Sequence, residues 1–122
     1  MTGLDDLADQ LDQAAAELRR KTYDTVKDQA AQLQRAWRDN ARRTAGRHGK
    51  HYPNSITSEQ IPSTSAAIWE IGPEIGRKQG SMGRGFEFGS VNQPPHLDGT
   101  RALTQQEPKL DQAIKDLLGK LL

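Results

Sequence analysis

Apolar and small residues recur at steps of mostly three and four through the first third of the chain: Leu4, Leu7, Leu11, Ala14, Ala15, Leu18, Val26, Ala30, Leu33, Trp37 and Ala41. That spacing lays a stripe along one face of a helix. No proline interrupts the segment, no glycine falls between Gly3 and Gly46, and alanine, glutamine, arginine and leucine dominate it. All four are good helix formers. The pattern predicts one long helix, or two nearly collinear ones, over residues 4–45, with Gly46 as its C-terminal cap residue. Thr22 to Thr25 contain its weakest helix formers, so a bend or break, if the segment has one, falls near Tyr23. Forty helical residues span roughly 60 Å, more than the width of a domain this small, so one end is expected to project. The alanine-rich first half suits the close approach of another helix.

Beyond residue 53 the period falls to two. Asn54 to Gln60 reads as a strand with Ile56 turned inward, and Pro62 ends it. Ala66 to Ile71 reads as a second strand, with Ile68 and Glu70 on one face and Trp69 and Ile71 on the other. A third short strand is expected at Phe86-Glu87-Phe88, bounded by Gly83, Gly85 and Gly89. Residues two apart share a strand face, so Phe86 and Phe88 would enter one core while Glu87 faced solvent. The glycine-rich run from Glu74 to Gly85 is expected to be a mobile hairpin loop. It offers Arg77, Lys78 and Arg84 to neighbouring subunits. Pro94 and Pro95 fix the course of a second loop, from Ser90 to Thr100. Pro108 suits the first turn of a last helix over 107–122, whose stripe is Leu110, Ala113, Ile114, Leu117, Leu118 and Leu121. The fold class that emerges is α+β in a single domain, 1–122: a long N-terminal helix, a small mainly antiparallel β-sheet and a C-terminal amphipathic helix. Its expected core is Trp69 or Ile68 with Phe86, Phe88, Ile114 and Leu117.

Composition narrows the function classes. The chain has 122 residues, 34% of them hydrophobic and 5% aromatic. Both fractions are low for a chain that buries its own core, so either part of the chain is extended and solvated or part of the burial comes from a partner. There is no cysteine, so disulfides, thiolate zinc sites and a cysteine nucleophile are excluded. His48 and His51 lie close together, but no acidic residue or cysteine nearby completes a ligand set. Glu70, Glu74 and Glu87 are read as ordinary strand glutamates and not as an acid/base pair. The Gly-x-x-x-x-Gly-Lys phosphate loop is absent. No catalytic, cofactor or metal site is expected, and the protein is read as no enzyme. No apolar run approaches a membrane span, and the start is acidic, so a soluble, unsecreted protein is expected.

The net charge is only +1, yet it is unevenly spread. Asp5, Asp6, Asp9, Asp12 and Glu17 load the start of the long helix, while Arg35, Arg38, Arg42, Arg43, Arg47 and Lys50 load its end. Both runs complement a helix dipole. Arg35, Arg38 and Arg42 also share a face. Two uses beyond the dipole are open. The acidic turns, Asp9 and Asp12 in particular, would pair with Arg38 and Arg42 of a neighbouring subunit. Alternatively the basic face Arg35–Lys50 serves a small nucleic-acid-binding protein through phosphate contacts, because few aromatics are interleaved for base stacking.

Phe86-Glu87-Phe88-Gly89-Ser90, then Pro94-Pro95, then Arg101-Ala102-Leu103 and an amphipathic helix, follow a long helix and Ser55-Ile56. That order resembles the tail-completion, or head–tail joining, proteins of long-tailed bacteriophages. The resemblance implies a structural virion protein at the head–tail junction, made in the host cytoplasm. It would assemble as a homo-oligomeric ring, a hexamer, between neighbouring neck and tail proteins. Such a ring surrounds the DNA exit channel and touches DNA without sequence specificity. It has no contact with membrane.

Overall fold

The computed structural model describes residues 3–121, so Leu122, the expected end of the last helix, lies outside the described residues. Helix α1, Gly3–Thr44, is continuous. The weak helix formers near Tyr23 do not break it, and that turn is held from outside. The Tyr23 hydroxyl donates to Gln60 Oε1 at 3.1 Å, and its ring lies 6.3 Å from that of Trp69. Gly46, at φ 65°, takes the chain out of the helix in a left-handed conformation that costs glycine little.

Two strands follow, β1 (Ile56–Ile61) and β2 (Ile68–Pro73), paired antiparallel with Ile56 opposite Pro73 and Ile61 opposite Ile68. Ile71 packs against the buried core, which decides that the Trp69 and Ile71 face of β2 is the inner one while Ile68 is exposed. The hairpin lies against α1 and is clamped there by side chains of the helix. Gln34 Nε2 and Arg38 Nε both donate to the Ile56 carbonyl, at 3.1 and 2.7 Å.

The α+β class stands, but the third strand does not. Gly83–Phe88 forms a short helix, α2, and the sheet has two strands. In a helix, residues two apart point about 200° apart. Phe86 is therefore buried, 3% exposed, whereas Phe88 is 67% exposed and leaves the expected core. Glu87, expected on a solvent face, is buried. The run from Glu74 to Gly85 is no hairpin loop. It closes in turns and enters α2, and Gln79 ties it down: its Nε2 donates to the His48 carbonyl at 2.6 Å, while its Oε1 accepts from the His51 N–H at 2.8 Å.

Helix α3 runs from Asp98 to Leu121, so it begins well before Pro108, which sits inside it. An internal proline removes one helical hydrogen bond. Here tertiary packing overrides that cost: Ala102, Gln106 and Leu117 are buried on the side turned to α1. Ile114, expected in the core, is 40% exposed, because the packing face runs through Ala113 and Leu117 beside it. Trp69 is half-buried beside Tyr23, away from the central cluster. That cluster is Ala41, Tyr52, Ile56 and Phe86, with Trp37 and Ile71 against it; Tyr52 and Phe86 stack at 4.4 Å.

Candidate interaction surface

The region around the start of α3 is the best-built polar cluster of the molecule. The Glu87 carboxylate accepts from the Gly99 N–H at 2.9 Å, and from the Thr100 N–H and hydroxyl at 2.8 Å each. These amides belong to the first turn of α3 and have no acceptor within it. A carboxylate there also meets the positive end of the helix dipole. One residue earlier, buried Asp98 accepts from the Thr44 hydroxyl at 2.7 Å and from Arg101 at 3.0 Å. Its backbone carbonyl accepts from Asn40 Nδ2 at 3.0 Å, and Arg43 in turn donates to Asn40 Oδ1. Cap and latch together fasten α2, α3 and the end of α1. Burial pushes the Tyr52 hydroxyl up to about 12, with the charges of Glu87 and Asp98 acting in the same direction. The Thr100 and Thr44 hydroxyls are engaged by Glu87 and Asp98, while the Tyr52 hydroxyl and Asp98 Oδ2 are buried with no hydrogen-bond partner among the described residues. Among the described residues no group of histidine, cysteine, aspartate or glutamate could hold a metal. No described helix is long and apolar enough to cross a membrane.

The sequence-derived candidates are dispersed. Asp9 and Asp12 are exposed near the start of α1, and no ion pair engages them among the described residues. Arg38 is half-buried and occupied by the Ile56 carbonyl; burial, with Arg42 and Arg77 adding to it, lowers its pKa. Arg42 pairs with Asp39 at 2.9 Å, and Arg77 with Glu74 at 2.7 Å, both within the subunit. Lys78 and Arg84 are exposed. Arg35, Arg47 and Lys50 remain as exposed cations. Glu70, Glu74 and Glu87 do not form a catalytic set: Glu70 stands opposite Glu59 in the hairpin, Glu74 holds Arg77, and Glu87 caps α3.

Two apolar surfaces stand out instead. The first is the beginning of α1, where every described residue through Arg20 is exposed. Leu4, Leu7, Leu11 and Leu18 are 78%, 51%, 62% and 38% exposed. The second is a groove between β2 and α3, floored by α1, formed of two adjoining clefts of about 430 and 410 Å³. Leu33, Ile71 and Leu103 line both clefts. Phe88 and Trp37 line one end, Trp69 and Leu110 the other. Sequence reasoning found the leucines but missed the groove, because its wall includes a phenylalanine assigned to a strand and a helix start assigned to a loop. No family model, curated protein or solved structure matches the chain.

Proposed function

We propose that the protein is an assembly subunit of the head–tail junction of a long-tailed bacteriophage, a tail-completion ring component that acts through its surfaces and catalyses nothing. The observation that carries the reading is an unfinished exterior. A helix of 42 residues leaves its first turns standing outside the body with Leu4, Leu7 and Leu11 exposed and Leu18, also exposed, beside the 63–67 turn, and the body keeps an apolar groove open. Apolar patches of this kind mark protein–protein contact. The order of elements in the resemblance supplies the phage setting. A long helix leads into a strand beginning at Ile56, and the Pro94-Pro95 loop leads into a helix carrying Arg101-Ala102-Leu103. The aromatic pair departs from it by lying in α2.

Mass in solution and electron microscopy test the reading. The purified protein, alone or with tail components, should form closed rings around an open channel. A monomer at all concentrations that ignores tail components refutes it. The nucleic-acid reading keeps one supporting observation, the exposed Arg35, Arg47 and Lys50. It requires duplex affinity that falls steeply with salt through released counterions.

A further inference from the structure

The exposed leucines of α1 are more regular than a core-facing stripe needs. Leu4, Leu7, Leu11, Ala14 and Leu18 follow steps of three and four without exception, the 3.5-residue spacing of a seam that packs against other elements. Further along, the core-facing positions Val26, Ala30, Leu33, Trp37 and Ala41 drift to steps dominated by four. The same helix therefore carries two apolar faces for two partners. Its own body covers only the second. Residues Lys21–Gln29 of α1 and Ala113–Lys120 of α3 line one cleft, so α3 runs out close to where the leucine seam ends, after Leu18. Because α1 is unbroken through Tyr23, the seam cannot fold back onto its own groove.

We infer that the leucine seam of one copy seats in the β2–α3 groove of another copy. The proposal rests on the self-assembly part of the ring reading and adds which surfaces meet. Length agrees: Leu4 to Leu18 spans roughly 21 Å of helix, and the groove follows α3 from Gly99 to Leu110, roughly 17 Å. Chemistry agrees, since an amphipathic helix laid into an apolar groove is a recurring mode of recognition. Charge sets the direction. The groove has Arg84 at its Phe88 end and Glu107 at its Leu110 end. The seam carries Asp5, Asp6 and Asp9 in its first turns and Asp12 just past its middle, and at its far end Arg19 and Arg20 follow Leu18 while Glu17 is paired with Lys21 and Arg20. Opposite charges meet when the start of the seam lies toward Arg84, parallel to α3. A seam-to-seam pair would leave both grooves open, whereas this contact covers both surfaces at once. It joins two different patches, so it is heterologous, the kind of interface that can propagate into a ring.

The chain has no cysteine, which makes engineered thiols a clean probe. Two populations are prepared, Leu11→Cys and Leu103→Cys, both at exposed positions. They are mixed and treated with a short bis-maleimide. The expected result is a heterodimer band linking the two variants, and little of either homodimer. In parallel, Leu7→Asp/Leu11→Asp should fold as the parent does, by circular dichroism, and lose its oligomer. If the parent is oligomeric but the double variant keeps its mass, or the link forms between two Leu11→Cys chains, the groove is not the seat; the seam-in-groove contact falls and the ring reading survives. A parent that stays monomeric with its assembly partners present removes both.

Discussion

Glu87→Ala tests whether α3 is held by a carboxylate borrowed from α2. The substitution leaves the Gly99 and Thr100 amides and the Thr100 hydroxyl without their acceptor, at the positive end of a 24-residue helix. Hydrogen bonds to a charged group contribute about 1.5–3 kcal/mol each, and the loss of a helix cap costs about 0.5–2 kcal/mol. Thr100 is exposed, so water replaces part of what it loses. Gly99 is buried, so its amide carries the larger penalty. The expected cost is about 2–4 kcal/mol, which for a chain near this size lowers the melting temperature by roughly 10 °C or more. Glu87→Gln keeps one acceptor oxygen but turns an amide nitrogen toward a donor, and is expected near half that cost. Thermal melts followed at 222 nm give the totals. Hydrogen exchange should locate the change, with the amides of Gly99 and Thr100 speeding up more than those of β1. An alanine variant that melts within a degree or two of the parent, with unchanged protection at those amides, would show that the cap contributes nothing.

Phe86→Ala should cost about 3–5 kcal/mol by urea denaturation, because its ring stacks on Tyr52 in the core. Phe88→Ala should stay within about 0.5 kcal/mol in the monomer, being largely exposed; the reverse order would restore the strand. Gly80→Ala should destabilise by about 1–3 kcal/mol, since its Cβ would stand 1.8 Å from the Glu74 carbonyl oxygen and backbone must move. Tyr52 has a folded pKa near 12 against about 10 unfolded. Its proton is held more tightly in the folded state, so that stability is complete below pH about 10 and is lost as pH climbs toward 12. Against Tyr52→Phe, whose stability lacks this dependence, the parent should lose roughly 2–3 kcal/mol over that interval. Parallel urea titrations whose difference stays flat would refute the sign or the burial.

The long helix, the first two strands and the final helix were legible because each rests on a local signal: composition and period for α1, alternation for β2, a stripe for the second half of α3. What failed depends on contacts distant in sequence. Phe86-Glu87-Phe88 has the alternation of a strand, and its neighbouring glycines fit either state. The helix is selected because Glu87 reaches Gly99 and Thr100 while Phe86 reaches Tyr52. Nothing at positions 86–88 announces those partners. The start of α3 was hidden for the same reason: its cap residue lies in α2, not at the chain position before the helix, and Pro108 imitates a helix start. Tyr52, fully buried, was assigned to a loop because histidine, glycine and proline surround it. Of the interaction surface, the leucine seam was visible, since one helix carries it whole. The groove needs three elements to be placed before it exists.

The basic end of α1 then divides into residues that hold the fold and residues that face outward, and the last prediction separates them. Arg38 donates to the Ile56 carbonyl, so Arg38→Glu should loosen β1 from α1 and reduce stability whatever the arginine does between subunits. It is unsuitable as a test of pairing with Asp9 and Asp12. Arg42 is exposed and pairs with Asp39, its one ion-pair partner among the described residues, a surface pair contributing about 0–1 kcal/mol, so Arg42→Glu should leave the fold intact. Arg84 is also exposed, but it stands at the mouth of the groove. If the seam enters with its acidic start toward that end, Arg84→Glu should weaken the oligomer, and Asp9→Lys/Asp12→Lys should partly restore it. Arg42→Glu should change the mass little. Sedimentation at low and moderate salt reads these three variants, since an exposed charge contact is screened beyond about 8–10 Å at physiological ionic strength. The opposite order, with Arg42→Glu disruptive and Arg84→Glu silent, would assign the acidic turns to the basic end of a neighbouring α1 and reverse the direction in which the seam lies.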